Sequence, residues 1–150
     1  GHSMDPNFQD KEYVATDIIS YRFRDPKRGD VIVLKAPSDP TKDFIKRIFG
    51  LPNEKIKLQD GSIFINGKRL DEGKYLDDSV KTYPGSFLKN NEELTIPADS
   101  YIIMGDNRGN SSDSREWGFL KRDAIIGHPV LSLWPPKEFG FIPDVNYVFP

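Results

Sequence analysis

Apolar positions in this chain come in short runs of strand length, separated by clusters of Gly, Pro, Asn and Asp, and the pattern predicts a mostly β protein. Tyr13-Val14-Ala15 and Ile18-Ile19-Ser20-Tyr21 read as a short strand pair. The turn Arg28-Gly29-Asp30 opens Val31-Ile32-Val33-Leu34, an apolar run expected to be a buried strand. A polar, proline-marked loop is expected from Pro37 to Lys42. A second apolar strand then runs from Asp43 to Phe49, interrupted by the charges of Lys46 and Arg47. After a turn at Gly50 to Glu54, Lys55 to Leu58 alternates as a half-buried strand does. Ile63-Phe64-Ile65, Asn66-Gly67 and Lys68-Arg69-Leu70 form a hairpin signal, because Asn-Gly suits a type I′ turn.

Residues Asp71 to Glu93 show no clear period and read as an insertion or loop-rich excursion. Strand character returns at Leu94 to Pro97 and at Tyr101 to Met104. Gly105 to Arg115 is a segment of eleven residues with no apolar side chain. Ala124 to Gly127 and Val130 to Leu133 supply the last strands, and the tail from Trp134 is rich in Pro and aromatics without a regular pattern. No repeat, low-complexity tract or linker divides the chain. The expectation is therefore one all-β domain, 1–150, built as a barrel or as packed sheets, with an extension at about 60–95.

Composition narrows the chemistry. Hydrophobic residues make up 37% and charged residues 29%, which is globular rather than disordered. The net charge of -2 gives no positive surface for phosphate, so nucleic acid is not an expected partner. With no cysteine, disulfides, thiolate nucleophiles and Cys-based zinc sites are excluded. Two histidines, His2 and His128, do not make a multi-histidine metal site, and no metal or cofactor is expected. No stretch approaches the roughly 18 apolar residues that cross a bilayer. The chain starts at Gly1 without an initiator Met, close to its candidate chemistry, and is read as an excised fragment.

Lys46 is the first candidate. Alternate strand residues share a face, so Phe44, Lys46 and Ile48 point one way and Ile45, Arg47 and Phe49 the other. A lysine drawn out of water loses its proton more readily and can then serve as a general base. The alternative is an edge strand whose lysine reaches back to solvent. Ser3, in the turn-prone start Gly1 to Pro6, is a candidate exposed hydroxyl, or else only a backbone cap. Met4 beside it could line an apolar pocket. In the polar segment, Asp106 with Arg108 and Asp113 with Arg115 pair acid and base at short range, as rigid site-bearing loops do and as solvated turns also do. His128 as a base to a serine is a weaker pairing, since Gly127 and Pro129 suggest a strand-end turn.

In order, these segments resemble the boxes of the type I signal peptidases. Ser3-Met4-Asp5-Pro6 resembles that family's nucleophile box, and Arg28-Gly29-Asp30-Val31-Ile32-Val33 its next one. Phe44-Ile45-Lys46-Arg47-Ile48-Phe49-Gly50-Leu51-Pro52 resembles the box of the general-base lysine. Gly105-Asp106-Asn107-Arg108 with Ser111, Asp113, Ser114 and Arg115 resembles the last. The resemblance implies a β-rich protease core with a smaller β extension, in a membrane-anchored enzyme of the outer side of the cytoplasmic membrane. Such an enzyme releases signal peptides from exported preproteins, and its anchor would be absent from this chain. It implies Ser3 as nucleophile, Lys46 as base and Ser111 as the hydroxyl that orients the lysine. Asp113, Arg115, Asp106 and Arg108 would support the loop, and Met4 would line the cleavage-side pocket.

The pattern departs from the family at Asn7 and Phe8, where threonine and leucine are usual, and Gly1 stands where some members carry a serine that helps bind the oxyanion. The oxyanion hole would then rest largely on backbone N–H groups, including that of Ser3. The aromatics Trp134, Phe139, Phe141, Tyr147 and Phe149 are expected either at a membrane surface or packed on the barrel. Two other readings stay open at this point: a self-cleaving repressor-type Ser/Lys protease, and a non-catalytic β-barrel binding module or inactive relative.

Overall fold

A computed structural model describes residues 2–77 and 79–143. Its longest strand is the one that carries the two charges. β2 (Val31–Ala36) and β3 (Asp39–Gly50) form an antiparallel hairpin in which Ala36 lies opposite Asp39. The expected loop from Pro37 to Lys42 therefore shrinks to Pro37 and Ser38. Pro40, which has no N–H to give a ladder, is tolerated on the solvent-exposed first half of β3.

Two sheets follow. The larger runs β1-β10-β2-β3-β8-β9, with β11 added beside β10. Its other members are β1 (Tyr13–Asp17), β8 (Ser100–Met104), β9 (Leu120–Lys121), β10 (Ile125–Trp134) and β11 (Gly140–Phe141). The smaller runs β6-β5-β4-β7, from β4 (Lys55–Gln59), β5 (Ser62–Ile65), β6 (Lys68–Arg69) and β7 (Leu94–Thr95). The β5–β6 connection is the expected Asn66-Gly67 turn, with φ of 50° and 82°. The protein is nearly all β, as expected. The α-helix among the described residues is one turn, α1 (Ser114–Trp117).

The period-2 alternation of β3 and β8 makes them the shared wall of two cores. Phe49, Ile102 and Met104 face a core completed by Ile56, Leu58, Ile63, Ile65 and Leu88. Ile48, Tyr101 and Ile103 face the opposite way, against Ile32, Leu34 and Leu120. A third cluster buries Met4 and Phe8 on Val31, so the chain's first turn is fastened to the main sheet by apolar packing. Among the described residues between 71 and 93 no regular strand forms, and Asn90 makes a single bridge to Leu58.

Three expectations are corrected. Ile18 to Tyr21 is not a strand: the Asp17 carboxylate accepts the N–H groups of Ile19 and Ser20, and the chain turns into a 3₁₀ segment at Ser20–Arg22. The last two strands are one, β10, which pairs with β2 through Ile125 and Gly127 and with β1 beyond them. His128 is accordingly inside a strand, opposite Asp17, rather than at a strand-end turn.

Trp134, Phe139 and Phe141 do not pack on the barrel. They are 54%, 66% and 87% exposed, and Tyr13, paired with Trp134, is 65% exposed. Tyr147 and Phe149 lie outside the described residues.

Candidate active site

β3 carries Lys46 and Arg47 into the interior on opposite faces, and both are only 3% exposed. The alternative in which the lysine reaches solvent is thereby overturned. A buried ammonium needs partners, and the two cations find them in the same distant segment. Arg47 makes a two-pronged pair with Asp106, Nε to Oδ1 at 2.9 Å and Nη2 to Oδ2 at 2.8 Å. Among the described residues Lys46 Nζ meets no carboxylate directly; it donates to Ser111 Oγ at 3.2 Å and lies 5.3 Å from the centre of the Phe44 ring. Burial is the main influence on its proton and pulls the pKa down to about 8. Asp113 and Asp106 oppose the fall, and Arg115 adds to it.

The segment from Gly105 to Arg115 is a rigid loop rather than a solvated turn. Ser111 Oγ donates to Asp113 Oδ2 at 2.8 Å, and Gly105 N–H donates to both. Asp113 also caps α1 and takes Arg115 through Nε and Nη2 at 2.8 Å each. Burial alone would raise the Asp113 carboxyl, but Arg115, with help from Gly105 and Ser111, holds it below the usual carboxylate range. Arg108 is buried and bonds Glu72 and Thr82, which ties the 71–93 excursion to this loop. Asp106 and Arg108, adjacent in the sequence pattern, thus serve different partners: Asp106 pairs with Arg47, and Arg108 with Glu72.

The first turn of the chain docks on the same loop. Asn107 donates its backbone N–H to Ser3 O at 2.8 Å and its side-chain amide to His2 O at 3.0 Å. Asp106 N–H points at Met4 sulfur, 3.3 Å away, and Met4 is buried. Asn7 donates to Asp106 Oδ2 and to Tyr75 O, both at 2.9 Å. Ser3 and Lys46 consequently line one cleft of about 670 Å³ together with Met4, Phe8, Phe44 and Ile45. No hydrogen bond joins Ser3 directly to Lys46. His128 is not part of this cleft. It stacks obliquely on Tyr21 and bonds Arg24.

The family described as signal peptidase, peptidase S26, has a sequence model that matches residues 1–134. The chain belongs to the signal peptidase family. It is 36% identical over 148 residues to a protein named probable signal peptidase I-2 in Synechocystis, covering 95% of this chain and 64% of that one. It is 34% identical over 152 residues to signal peptidase IB of Staphylococcus aureus, covering 94% of this chain and 78% of the relative. The solved structure of a signal peptidase I from Enterococcus faecalis aligns with a TM-score of 0.57 at 28% identity, over 70% of this chain and 97% of that chain. The chain thus spans 64% of the length of the Synechocystis relative. Three of the four sequence boxes line one cleft, and the fourth, at 28–33, packs beside it through Val31 against Met4 and Phe8.

Several residues that brace this cleft were not legible as such. Glu72 and Thr82 sit in a segment without period and gain their role only by meeting Arg108 across 36 and 26 residues. Asn7, legible only as a departure from the family pattern, joins the first turn to Asp106. Phe44 shares a strand face with Lys46, and that alternation was the available sign of its position over the amine.

Proposed function

We propose that this chain is the catalytic part of a serine endopeptidase that removes signal peptides from exported preproteins, with Ser3 as nucleophile and Lys46 as general base. The observation that carries the reading is a nearly dry lysine, with its pKa brought to about 8, on the wall of the cleft that also holds the Ser3 hydroxyl.

In this reading the neutral Lys46 amine takes the Ser3 proton as Ser3 Oγ attacks the scissile carbonyl. The carbonyl oxygen becomes an oxyanion held by backbone N–H groups, that of Ser3 among them. Collapse of the tetrahedral species expels the amine of the mature protein, which takes the proton from Lys46. The same base then activates a water that hydrolyses the acyl-enzyme. Ser111 keeps the amine aimed into the cleft, with Asp113 and Arg115 fixing Ser111, Asp106 and Arg108 fixing the loop, and Met4 lining the cleavage-side pocket. A direct Ser3–Lys46 hydrogen bond is not required beforehand, because such contacts often tighten only when substrate is bound.

Membrane contact is the second part of the proposal. Tyr13, Leu133, Trp134, Phe139 and Phe141 gather exposed apolar surface on β1, β10, β11 and their connection, and aromatic rings favour the membrane–water interface. No helix among the described residues is long and apolar enough to cross a membrane. We place the catalytic domain on the outer face of the cytoplasmic membrane, where exported preproteins emerge.

The test is cleavage of a preprotein with an Ala-X-Ala site, in detergent, by wild type, Ser3→Ala and Lys46→Ala. Cutting by wild type alone, rising with pH around a midpoint near 8, is the expected result. Normal cutting by Lys46→Ala ends the dyad assignment. No cutting by any of the three favours a binding module instead.

A further inference from the structure

The Lys46 amine is held from two sides, and both sides lead to α1. On one side Lys46 Nζ bonds Ser111 Oγ, Ser111 bonds Asp113, and Asp113 caps α1. On the other side the amine faces the Phe44 ring, and Phe44 stacks on Trp117, the last residue of α1, with ring centres 5.8 Å apart and planes 26° apart. Trp117 also donates Nε1–H to Ser112 Oγ at 2.8 Å, and Ser112 lines the cleft beside Phe44 and Lys46. The contacts form a closed circuit, from the amine through Ser111 and Asp113 into the helix, then through Trp117 and Phe44 back to the amine.

We propose that Trp117 is a positioning residue for the Lys46 base, acting through Phe44: its indole fixes the Phe44 ring as the apolar wall that keeps water from the amine. The inference rests on the reading of Lys46 as base. A lone Phe44 on the half-buried part of β3 would have other staggered positions open to it. The stack on Trp117, whose Nε1–H is bonded to Ser112, favours the one observed. The ring attracts an ammonium, which favours the charged form, whereas the water it excludes favours the neutral form. Burial is the largest influence on this lysine, and in the proposal the ring acts chiefly through its share of that burial. The charges that act on the amine are Asp113, Arg115 and Asp106, while His2, Asp10, Lys11, Glu12, Lys42 and Asp43 line the same cleft. Substitution of the Trp117 indole removes none of them.

The test compares Trp117→Leu, which keeps apolar bulk and so spares the fold, with Trp117→Phe, which keeps a flat ring to stack on. Two readouts are taken: the pH profile of kcat/KM on a preprotein, and the Lys46 13Cε NMR titration in a Ser3→Ala background. Lys46 is assigned by the signal lost in Lys46→Arg. The expected result is a Lys46 midpoint raised by roughly one pH unit in Trp117→Leu and restored in Trp117→Phe, with kcat/KM at neutral pH falling about tenfold in the Leu variant. A Lys46 titration identical in wild type and Trp117→Leu overturns the proposal. A shifted titration upholds the positioning of Lys46 even if cleavage proves independent of this lysine; that second outcome removes only the assignment of Lys46 as base.

Discussion

Replacing Lys46 with Met should make the protein more stable at neutral pH while abolishing the proposed activity. A free lysine has a pKa of ~10.4, and burial brings Lys46 to about 8. At about 1.4 kcal/mol per pH unit, the native state bears roughly 3 kcal/mol for keeping this ammonium charged. The sign follows from proton counts. Between pH 8 and ~10.4 the unfolded chain binds more protons at this site than the native one, so stability from this group rises with pH across that window. Below about 8 the cost is complete. Met preserves the apolar stem, and Ser111 keeps Asp113 and the Gly105 N–H as partners, so no buried polar group is orphaned. The lost hydrogen bond offsets ~1 kcal/mol of the gain. The expected net gain is about 2 kcal/mol at pH 7, falling through zero near pH ~10 and reversing above it. Urea denaturation of both proteins at pH 7 and pH 10 measures it, and titrations elsewhere in the chain cancel in the difference. A Lys46→Met protein less stable than wild type at pH 7, or a difference that does not change with pH, would refute the claim that burial sets this lysine.

Ser111→Ala should leave the fold intact and lower kcat/KM about tenfold, the worth of one orienting hydrogen bond of ~1.4 kcal/mol, with KM little changed; steady-state cleavage assays read both constants. Asp106→Ala removes the carboxylate partner of the buried Arg47 and should cost about 3–5 kcal/mol in denaturant melts, whereas the double change Asp106→Ala with Arg47→Met should recover much of it. Gly105→Ala places a Cβ 2.7 Å from Ser111 Cβ and nearer still to the Ser3 carbonyl oxygen, so it should separate the first turn from the loop. An expected loss of about 1–3 kcal/mol in thermal melts accompanies a fall in activity.

What the sequence disclosed followed local rules. The alternation of β3 placed Lys46 and Arg47 on opposite faces, and Asn66-Gly67 announced its hairpin, because both depend on neighbours along the chain. The alternation left open whether the cations were buried, since Asp106 lies 59 residues from Arg47 and Ser111 lies 65 from Lys46, and only the family resemblance pointed to Ser111. Ile18 and Ile19 looked like a strand by composition, but one short-range competitor, the Asp17 carboxylate, turned the backbone away. Pro129 looked like the end of a strand. Instead it sits in β10 just past Gly127, where the strand passes from β2 to β1, and it lies opposite Thr16. The close approach of Gly127 to the Asp17 carbonyl, where a Cβ would collide, was equally invisible without the fold.

The proposed dyad draws its two members from parts of the chain that never pair as strands, so something other than a β ladder must set their separation. Asp106 is the group in position to do it. Its carboxylate receives Arg47, the immediate neighbour of Lys46 on β3, and also Asn7, four residues beyond Ser3. Its N–H meets the Met4 sulfur, and the next residue, Asn107, holds the carbonyls of His2 and Ser3. Ser111, which holds the amine, and Asp113, which holds Ser111, belong to the same loop and share the Gly105 N–H. One loop therefore grips the first turn at one end and the amine at the other, and the serine and the lysine keep their relation through it without a bond between them. A buried charged pair is a costly way to stabilise a fold. Here its geometry, two parallel bonds in a nearly dry site, supplies what apolar packing cannot, a fixed registry between two segments 59 residues apart.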